Sequence, residues 1–260
     1  MRDKKSALQL SVSKWAAWAP GIQEQADWQA WAKGDATISG PVNPDVKFVA
    51  PMMRRRLSGL SRMAFRVAAD CLEGTTEAES PTFVFCSRYG EYERSYGILE
   101  GIAAGNPASA AAFSMSVHNT ATSLFSIETG NRAPSIALAG GEATLENGFL
   151  EAWSLLSTQS ASSVLLIYHD ERLPDLYRGQ KTTVNCDCAL AMILKASGND
   201  PDATQMTLEW NSRNPTIPST PETQSDPALQ VLRLLINGTG MLESDTGRLV
   251  WTWKADHGAD

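Results

Sequence analysis

Apolar positions along the chain follow two periods, one typical of strands and one typical of helices. Alternating apolar and polar residues predict a strand at 7–13, and short β-rich runs bounded by turn residues predict strands at 82–87, 134–139, 163–168 and 188–195. Between them, apolar residues recur at spacings of three and four, which predicts helices at 57–72, 117–129 and 143–156. A further helix is expected at 228–236 and a further strand at 249–253. This alternation predicts an α/β fold built on a parallel sheet with right-handed crossovers.

Composition narrows the class of protein. The chain has 260 residues, 43% hydrophobic and 20% charged, which fits one globular domain over 1–260, with a polar tail at 255–260 that we expect to be disordered. The longest apolar runs, at 164–168 and 189–194, are too short to span a bilayer. A net charge of −7 argues against nucleic acid as the main partner. The first residues form no continuous apolar export segment, so we expect a cytoplasmic protein.

The four cysteines allow two interpretations. Cys186 and Cys188 stand close enough in sequence to suggest a metal site, but they flank a strand-like run and no second pair accompanies them. We therefore favour buried, reduced cysteines and predict no metal.

A run of three arginines, Arg54, Arg55 and Arg56, precedes an amphipathic helix in this otherwise acidic chain. The run is either a solvated charged surface or a docking site for an acidic partner.

Two other segments carry candidate chemistry. In the segment 113–119, a Ser or Asn is expected to cap the helix that follows. The strand at 134–139 ends in Gly140, Gly141 and Glu142, at the start of a helix. A turn from strand to helix of this kind is where α/β enzymes expose a nucleophile.

These motifs together resemble a known family. RRRLS at 54–58, SRYGE at 87–91 and SVHN at 116–119, with the strand and Gly-Gly turn that follow, resemble β-ketoacyl synthases of the thiolase superfamily over residues 52–194. More narrowly, they resemble the chain length factors of aryl polyene gene clusters. The resemblance implies a thiolase-like fold, layered αβαβα and truncated relative to a full ketosynthase. It also implies pairing with a homologous ketosynthase subunit, an acyl carrier protein as second partner, and no cofactor.

The resemblance also implies that catalytic groups are missing. Glu142 falls where ketosynthases place their nucleophilic cysteine, and a carboxylate there cannot form the thioester that a cysteine thiolate forms. His118 and His169 precede the region of the family's histidine pair, and His257 lies in the predicted tail. We therefore expect a catalytically silent subunit that shapes the tunnel for the growing chain.

Three alternatives stay open. The chain could be a malonyl decarboxylase that uses Glu142, or a scaffold without influence on product length. His118 and Glu142 could instead form an acid/base couple, although we favour a role for His118 and Asn119 in satisfying buried backbone groups at a subunit contact.

The residues expected at the partner interface come from the same resemblance. The predicted interface and tunnel set is Phe113, Ser116, His118, Asn119, Thr120, Leu124 and Ile127. Within it, Thr120, Leu124 and Ile127 share one helical stripe, which we expect to face the partner's tunnel. The predicted docking site for the carrier protein is Arg54, Arg55 and Arg56.

Overall fold

The computed structural model describes residues 7–22, 24–41, 43–75, 80–177, 186–198, 202–213 and 226–257. Its strands are β1 (Ala7–Trp18), β2 (Thr82–Cys86), β3 (Ser135–Leu138), β4 (Val164–Asp170), β5 (Cys188–Ala196), β6 (Thr204–Ser212), β7 (Thr239–Asp245) and β8 (Leu249–His257). Its α-helices are α1 (Gln25–Lys33), α2 (Pro51–Arg54), α3 (Gly59–Leu72), α4 (Tyr92–Ala103), α5 (Ala110–Ser114), α6 (Thr120–Thr129), α7 (Thr144–Ser157) and α8 (Pro227–Asn237). Short 3₁₀ turns lie at Gly141–Ala143 and Asp175–Tyr177.

The described strands form one mixed sheet in the order β3-β2-β4-β5-β1-β6-β8-β7. Strands β3, β2 and β4 are parallel, as the pattern predicted. The prediction of a parallel sheet is wrong for the rest, because β5, β1, β6, β8 and β7 each pair antiparallel with their neighbours. Apolar runs of this length mark burial on both faces of a sheet, and they do not fix the direction of a strand.

Helices cover both faces of the sheet, and each face has its own core. On β2, Phe83 and Phe85 point to the face covered by α3 and α6, whereas Val84 and Cys86 point to the face covered by α7 and α8. The truncation that the sequence predicted therefore takes the form of one sheet between two layers of helices.

Local signals fix the ends of the main helices. Ser58 caps α3 by accepting a hydrogen bond from the backbone N–H of Ser61, and Asp226 caps α8 in the same way through Ala228. Pro227 occupies the first turn of α8 and Gly238 ends that helix with a left-handed backbone.

Several predicted boundaries need correction. β1 extends to Trp18, five residues beyond the predicted strand. β8 extends through His257, so the predicted disordered tail is wrong at 255–257, where Ala255 is buried and His257 Nδ1 lies 2.9 Å from Thr204 Oγ1. Residues 258–260 of that tail lie outside the described residues.

Two further findings concern expectations about membranes and metals. Within the described ranges, no helix is both long and apolar enough to cross a bilayer. In the same part of the chain, no three His, Cys, Asp or Glu residues lie close enough together to hold a metal ion. All four cysteines are free thiols, and Cys71, Cys86 and Cys188 are buried.

Candidate functional site

A tight turn joins β3 to α7 and places Glu142 at the start of that helix. We call residues 140–144 the elbow. Gly141 has a φ of +61°, in the left-handed region that favours glycine, and a Cβ on Gly140 would lie 2.7 Å from Asn147 Nδ2. Thr144 Oγ1 accepts a hydrogen bond from the Gly140 N–H at 3.0 Å and donates one to the Gly141 carbonyl at 2.7 Å. The two glycines and Thr144 therefore define the direction of the Glu142 side chain.

Glu142 forms an ion pair with Arg88. The Arg88 side chain is only 8% exposed, whereas that of Glu142 is 39% exposed. The Arg88 guanidinium carbon also lies 5.0 Å from the centre of the Tyr89 ring, a cation–π geometry. The position predicted to replace the nucleophile thus holds a carboxylate that is paired with a nearly buried cation. Sequence reasoning missed Arg88, although a charged residue two positions after a fully buried strand was a usable signal.

Asp170, at the end of β4, fixes the backbone of Arg88. Its Oδ1 accepts hydrogen bonds from Ser87 Oγ at 2.8 Å and from the Arg88 N–H at 3.0 Å. Burial raises the pKa of Asp170 to about 6, although the hydrogen bond from Ser87 favours the ionised form. The ends of β2 and β4 are therefore joined directly beneath the Arg88–Glu142 pair.

The two motifs SRYGE and SVHN contact each other. His118 Nε2 lies 2.8 Å from the Ser87 carbonyl oxygen. Gly90 has a φ of +59°, and a Cβ on it would lie 2.8 Å from His118 Cδ2. His118 and Glu142 were considered as an acid/base couple, but His118 directs its Nε2 to a backbone carbonyl and Glu142 pairs with Arg88. This arrangement favours the structural interpretation of His118.

Glu91, the last residue of SRYGE, connects α3 to α4. Its Oε1 accepts hydrogen bonds from Ser58 Oγ at 2.8 Å and Ser61 Oγ at 2.7 Å. Its Oε2 lies 3.1 Å from Arg94 Nε, and the Glu91 side chain is almost fully buried. The motif that carried the resemblance is therefore a junction of helices and strands that sets the position of Arg88.

The predicted stripe on α6 needs correction. Thr120 and Leu124 are 3% and 4% exposed, so this chain's own core encloses them, and Thr120 Oγ1 donates to the Met115 carbonyl at 3.1 Å. Ile127 is 67% exposed and is the stripe residue that faces outwards. Two of the three stripe residues therefore face this chain's own core, and the third faces solvent. Asn119 is exposed, and its side chain makes no capping hydrogen bond to α6, contrary to expectation.

Large apolar side chains are exposed on α4, α5 and α6 and between them. We call this set the apolar surface; its members are Leu99, Ile102, Phe113, Val117 and Ile127, each between 45% and 67% exposed. α4 packs on α5, neither helix has a buried residue, and α6 packs on the edge strand β3. Ser116 is half-buried and donates from Oγ to the Phe113 carbonyl at 2.9 Å. Part of the apolar surface, Ile127 on α6, thus belongs to a helix that packs on the edge strand β3.

The arginine run is held by two other arginines. The guanidinium of Arg62 donates to the Arg54 carbonyl at 2.9 Å, and that of Arg94 donates to the Arg56 carbonyl at 3.0 Å. Arg55 and Arg56 are exposed and Arg54 is half-buried. The backbone is therefore fixed while the charges of Arg55 and Arg56 face solvent.

Comparison with known proteins identifies the family. Residues 28–254 match the family model described as the N-terminal domain of β-ketoacyl synthase, so the chain belongs to this family. The resemblance and the thiolase-like fold predicted from the sequence are confirmed. The comparison with curated proteins returned no match.

Solved structures are similar to the chain over nearly its whole length. A chain of the complex of ketosynthase ApeO with its chain length factor ApeC from Xenorhabdus doucetiae has 26% identity and a TM-score of 0.80, with coverage of 95% of this chain and 99% of that one. A chain of the ishigamide ketosynthase/chain length factor has 12% identity and a TM-score of 0.72 at the same coverage. A chain of the type II polyketide complex AntDE:AntF, an acyl carrier protein with its ketosynthase, has 9% identity and a TM-score of 0.68, also over 95% and 99%.

Proposed function

We propose that this chain is a chain length factor, a non-catalytic subunit that pairs with a ketosynthase in a pathway of the aryl polyene type. The observation that carries the proposal is the ion pair between Glu142 and Arg88 at the position where the family resemblance expects a cysteine. A carboxylate held in this way has no thiolate chemistry to offer, so the condensation belongs to the partner. The similarity to a chain of the ApeO–ApeC complex supports the same proposal.

The ketosynthase binds the edge of β3 and the apolar surface beside it. β3 pairs only with β2 among the described strands, so its outer side offers backbone groups to a second sheet. Phe113 and Ile127 are large apolar side chains that water covers in the isolated chain, at 65% and 67% exposure. Permanent pairs bury more than about 2,000 Å² with an apolar core, and a surface of this kind supplies it.

The tunnel wall is formed by exposed residues of the same surface. Thr120 and Leu124 are enclosed by this chain, whereas Phe113, Ser116 and Ile127 are three of the predicted interface residues that a neighbouring molecule can reach. A rigid apolar polyene stops where it meets a bulky side chain, because overlap with a packed wall costs about 1–3 kcal/mol. Phe113 is the largest of the three side chains, and in this proposal it limits the length of the product.

The carrier protein docks on the arginine run. Arg55 and Arg56 present positive charge from a backbone that Arg62 and Arg94 fix in place. The net charge of the chain is −7, so the chain as a whole does not attract an acidic carrier protein. A local patch of positive charge supplies the attraction.

The malonyl decarboxylase is the rival that makes a distinct chemical prediction. It requires Glu142 to act on a malonyl thioester, whereas the carboxylate is engaged by Arg88. The scaffold rival requires that changes on the apolar surface leave product length unaltered.

Reconstitution separates these functions. The chain is co-expressed with an aryl polyene ketosynthase subunit, and the complex is supplied with malonyl carrier protein and a primer. We expect a stable heterodimer, products whose length depends on this chain, and an acyl adduct on the partner alone by intact-protein mass spectrometry. An acyl adduct on this chain, or release of carbon dioxide from malonyl carrier protein by this chain alone, would overturn the proposal.

A further inference from the structure

Strand β3 depends on contacts at its two ends. It has four residues, none of them fully buried, and it pairs in parallel with β2. Parallel pairing is slightly weaker per residue than antiparallel pairing, and a strand of four residues makes few backbone hydrogen bonds. Its pairing with β2 alone therefore leaves this edge weakly held.

Side chains secure both ends of β3. At its beginning, Ser135 Oγ lies 3.1 Å from Ser126 Oγ on α6. Beyond its end, Glu142 on the elbow forms the ion pair with Arg88, the second residue after β2 and part of the motif SRYGE. The second contact spans two neighbouring strands at the edge where the partner is proposed to bind.

Arg88 is suited to this task because its own position is fixed. The backbone N–H of Arg88 donates to Asp170 Oδ1 at 3.0 Å and lies 3.1 Å from Oδ2. The N–H of the preceding residue, Ser87, donates to the Leu138 carbonyl at 3.1 Å. The ends of β3, β2 and β4 are thus joined through the backbone of Ser87 and Arg88.

We infer that Arg88 is a positioning residue, whose ion pair with Glu142 holds β3 and the elbow in the arrangement that the ketosynthase binds. The structural half of this inference concerns this chain alone, and the binding half rests on the proposed function. Glu142 then has a role at the former nucleophile position that involves no chemistry: it anchors the partner-binding edge.

Because Arg88 is nearly buried, we expect removal of Glu142 alone to destabilise the edge more than removal of both members of the pair. Loss of the Glu142 charge removes one anionic partner from a guanidinium that is only 8% exposed, which costs more than replacing both groups by neutral ones. Glu142→Gln should therefore loosen β3 more than the double variant Arg88→Met/Glu142→Gln.

The opposite edge of the sheet offers a matched control. β7 pairs only with β8 among the described strands, and its last residue, Asp245, lies 2.7 Å from Arg213 Nε. Asp245→Asn removes the same type of charge from the other edge strand. It should loosen β7 and leave β3 unchanged.

Hydrogen exchange of the full chain, measured by mass spectrometry at low protein concentration, tests the structural half. We expect Glu142→Gln to increase exchange in the peptide covering 135–138 at least tenfold, Asp245→Asn to increase it only in 239–245, and the double variant to exchange more slowly at 135–138 than Glu142→Gln. Unchanged exchange at 135–138 in Glu142→Gln, or an equal increase over the whole sheet, would overturn the inference.

Affinity for the ketosynthase tests the binding half. We expect wild type and Asp245→Asn to bind the ketosynthase equally, and Glu142→Gln to bind at least tenfold more weakly. Equal binding by Glu142→Gln would refute the inference and leave the proposed function intact. Failure of wild type to bind would refute the proposed function, and the exchange data would still decide whether Arg88 positions β3.

Discussion

His118 Nε2 lies 2.8 Å from the carbonyl oxygen of Ser87, so the helix-leading motif SVHN contacts the strand-ending motif SRYGE. His118 and Ser87 are 31 residues apart in the chain. The His118 ring fits closely against Gly90 of SRYGE, and the Ser87 hydroxyl donates to the carboxylate of Asp170.

The fit between Gly90 and His118 predicts a large effect of one methyl group. Gly90→Ala combines a φ of +59° with a Cβ 2.8 Å from His118 Cδ2, so we expect it to lower the free energy of unfolding by about 1–3 kcal/mol. Gly97→Ala is the control, because Gly97 lies within α4 and its added Cβ would meet nothing within 4 Å. It should raise stability by up to about 1 kcal/mol through helix propensity. Urea unfolding compares the two variants, and equal effects would contradict the proposed fit.

Asp226 predicts a specific dependence of stability on pH. Burial, followed by the charge of Asp170, raises the pKa of Asp226 from 3.8 to about 7. A raised pKa means that the folded protein prefers the neutral acid, so this group's contribution is full below about pH 4 and is lost as the pH rises through 7.

Asp226→Asn tests this dependence, because it keeps an oxygen that can accept the hydrogen bond from the Ala228 N–H, 2.9 Å away in the wild type. We expect the variant to gain about 1–3 kcal/mol relative to wild type between pH 5 and pH 8. Urea unfolding at both pH values measures the gain, and a difference that does not change with pH would show that Asp226 is already ionised at pH 5.

A substitution at Phe113 tests whether the apolar surface binds the ketosynthase, and a residue of equal exposure elsewhere serves as the control. Phe113 and Met241 are both 65% exposed, but Met241 lies on β7 at the opposite edge of the sheet. We expect Phe113→Asp to weaken binding of the ketosynthase at least tenfold, because a charge would be buried in the interface without a partner, and Met241→Asp to have little effect. Calorimetry or surface plasmon resonance measures both, and equal losses would remove the apolar surface from the interface.

A substitution at Leu124 distinguishes a role of this side chain in the core from a role in the tunnel. Leu124→Ala removes a buried side chain, so we expect it to cost about 2–5 kcal/mol of stability, with an unaltered length of products from equal amounts of complex. Ile127→Ala, at an exposed position of the same helix, should change stability by less than about 0.5 kcal/mol. Chromatography of the products decides the matter: longer products from Leu124→Ala would restore the tunnel role originally expected of the stripe.

Arg55 and Arg56 test the docking of the carrier protein. Reversing both to Glu should slow association of the carrier protein with the heterodimer several-fold at low salt, because long-range attraction is lost. The difference should shrink as the ionic strength rises to about 1 M, where the Debye length is about 3 Å. Arg248→Glu is the control at an exposed arginine outside the run. Stopped-flow rates that are independent of salt would exclude this site.

The sequence pattern predicted helices and strands correctly where their periodic apolar residues are buried by the chain itself. The stripe on α3 and the run of β2 face cores within the chain, and both elements lie where the pattern placed them. α4 was not predicted, because it has no buried residue and its apolar side chains face outwards. β6 was also missed, although buried and half-buried residues alternate along Thr204–Leu208 and offered a period-two signal.

The site was harder to predict for a different reason. Glu142 was identified from its place after a strand and a Gly-Gly turn, which is local information. Its partner, Arg88, lies just beyond the end of the neighbouring strand β2, and the register of β2 against β3 brings the two together. Strand direction is similarly non-local, which is why the antiparallel half of the sheet was read as parallel.

The position of β1 within the sheet has a consequence for the order in which the chain can fold. Leu10 pairs with Ala196 on β5 and with Met206 on β6, so the middle of the sheet joins segments far apart in sequence. At synthesis rates of roughly 5–20 residues per second, the ribosome needs on the order of 10–40 seconds to make the chain between β1 and its first neighbour. Contacts between such distant segments form slowly even in the complete chain, because a long loop must close first. A strand in the middle of the finished sheet is thus made well before both of its neighbours, and it cannot pair until β5 and β6 have followed it.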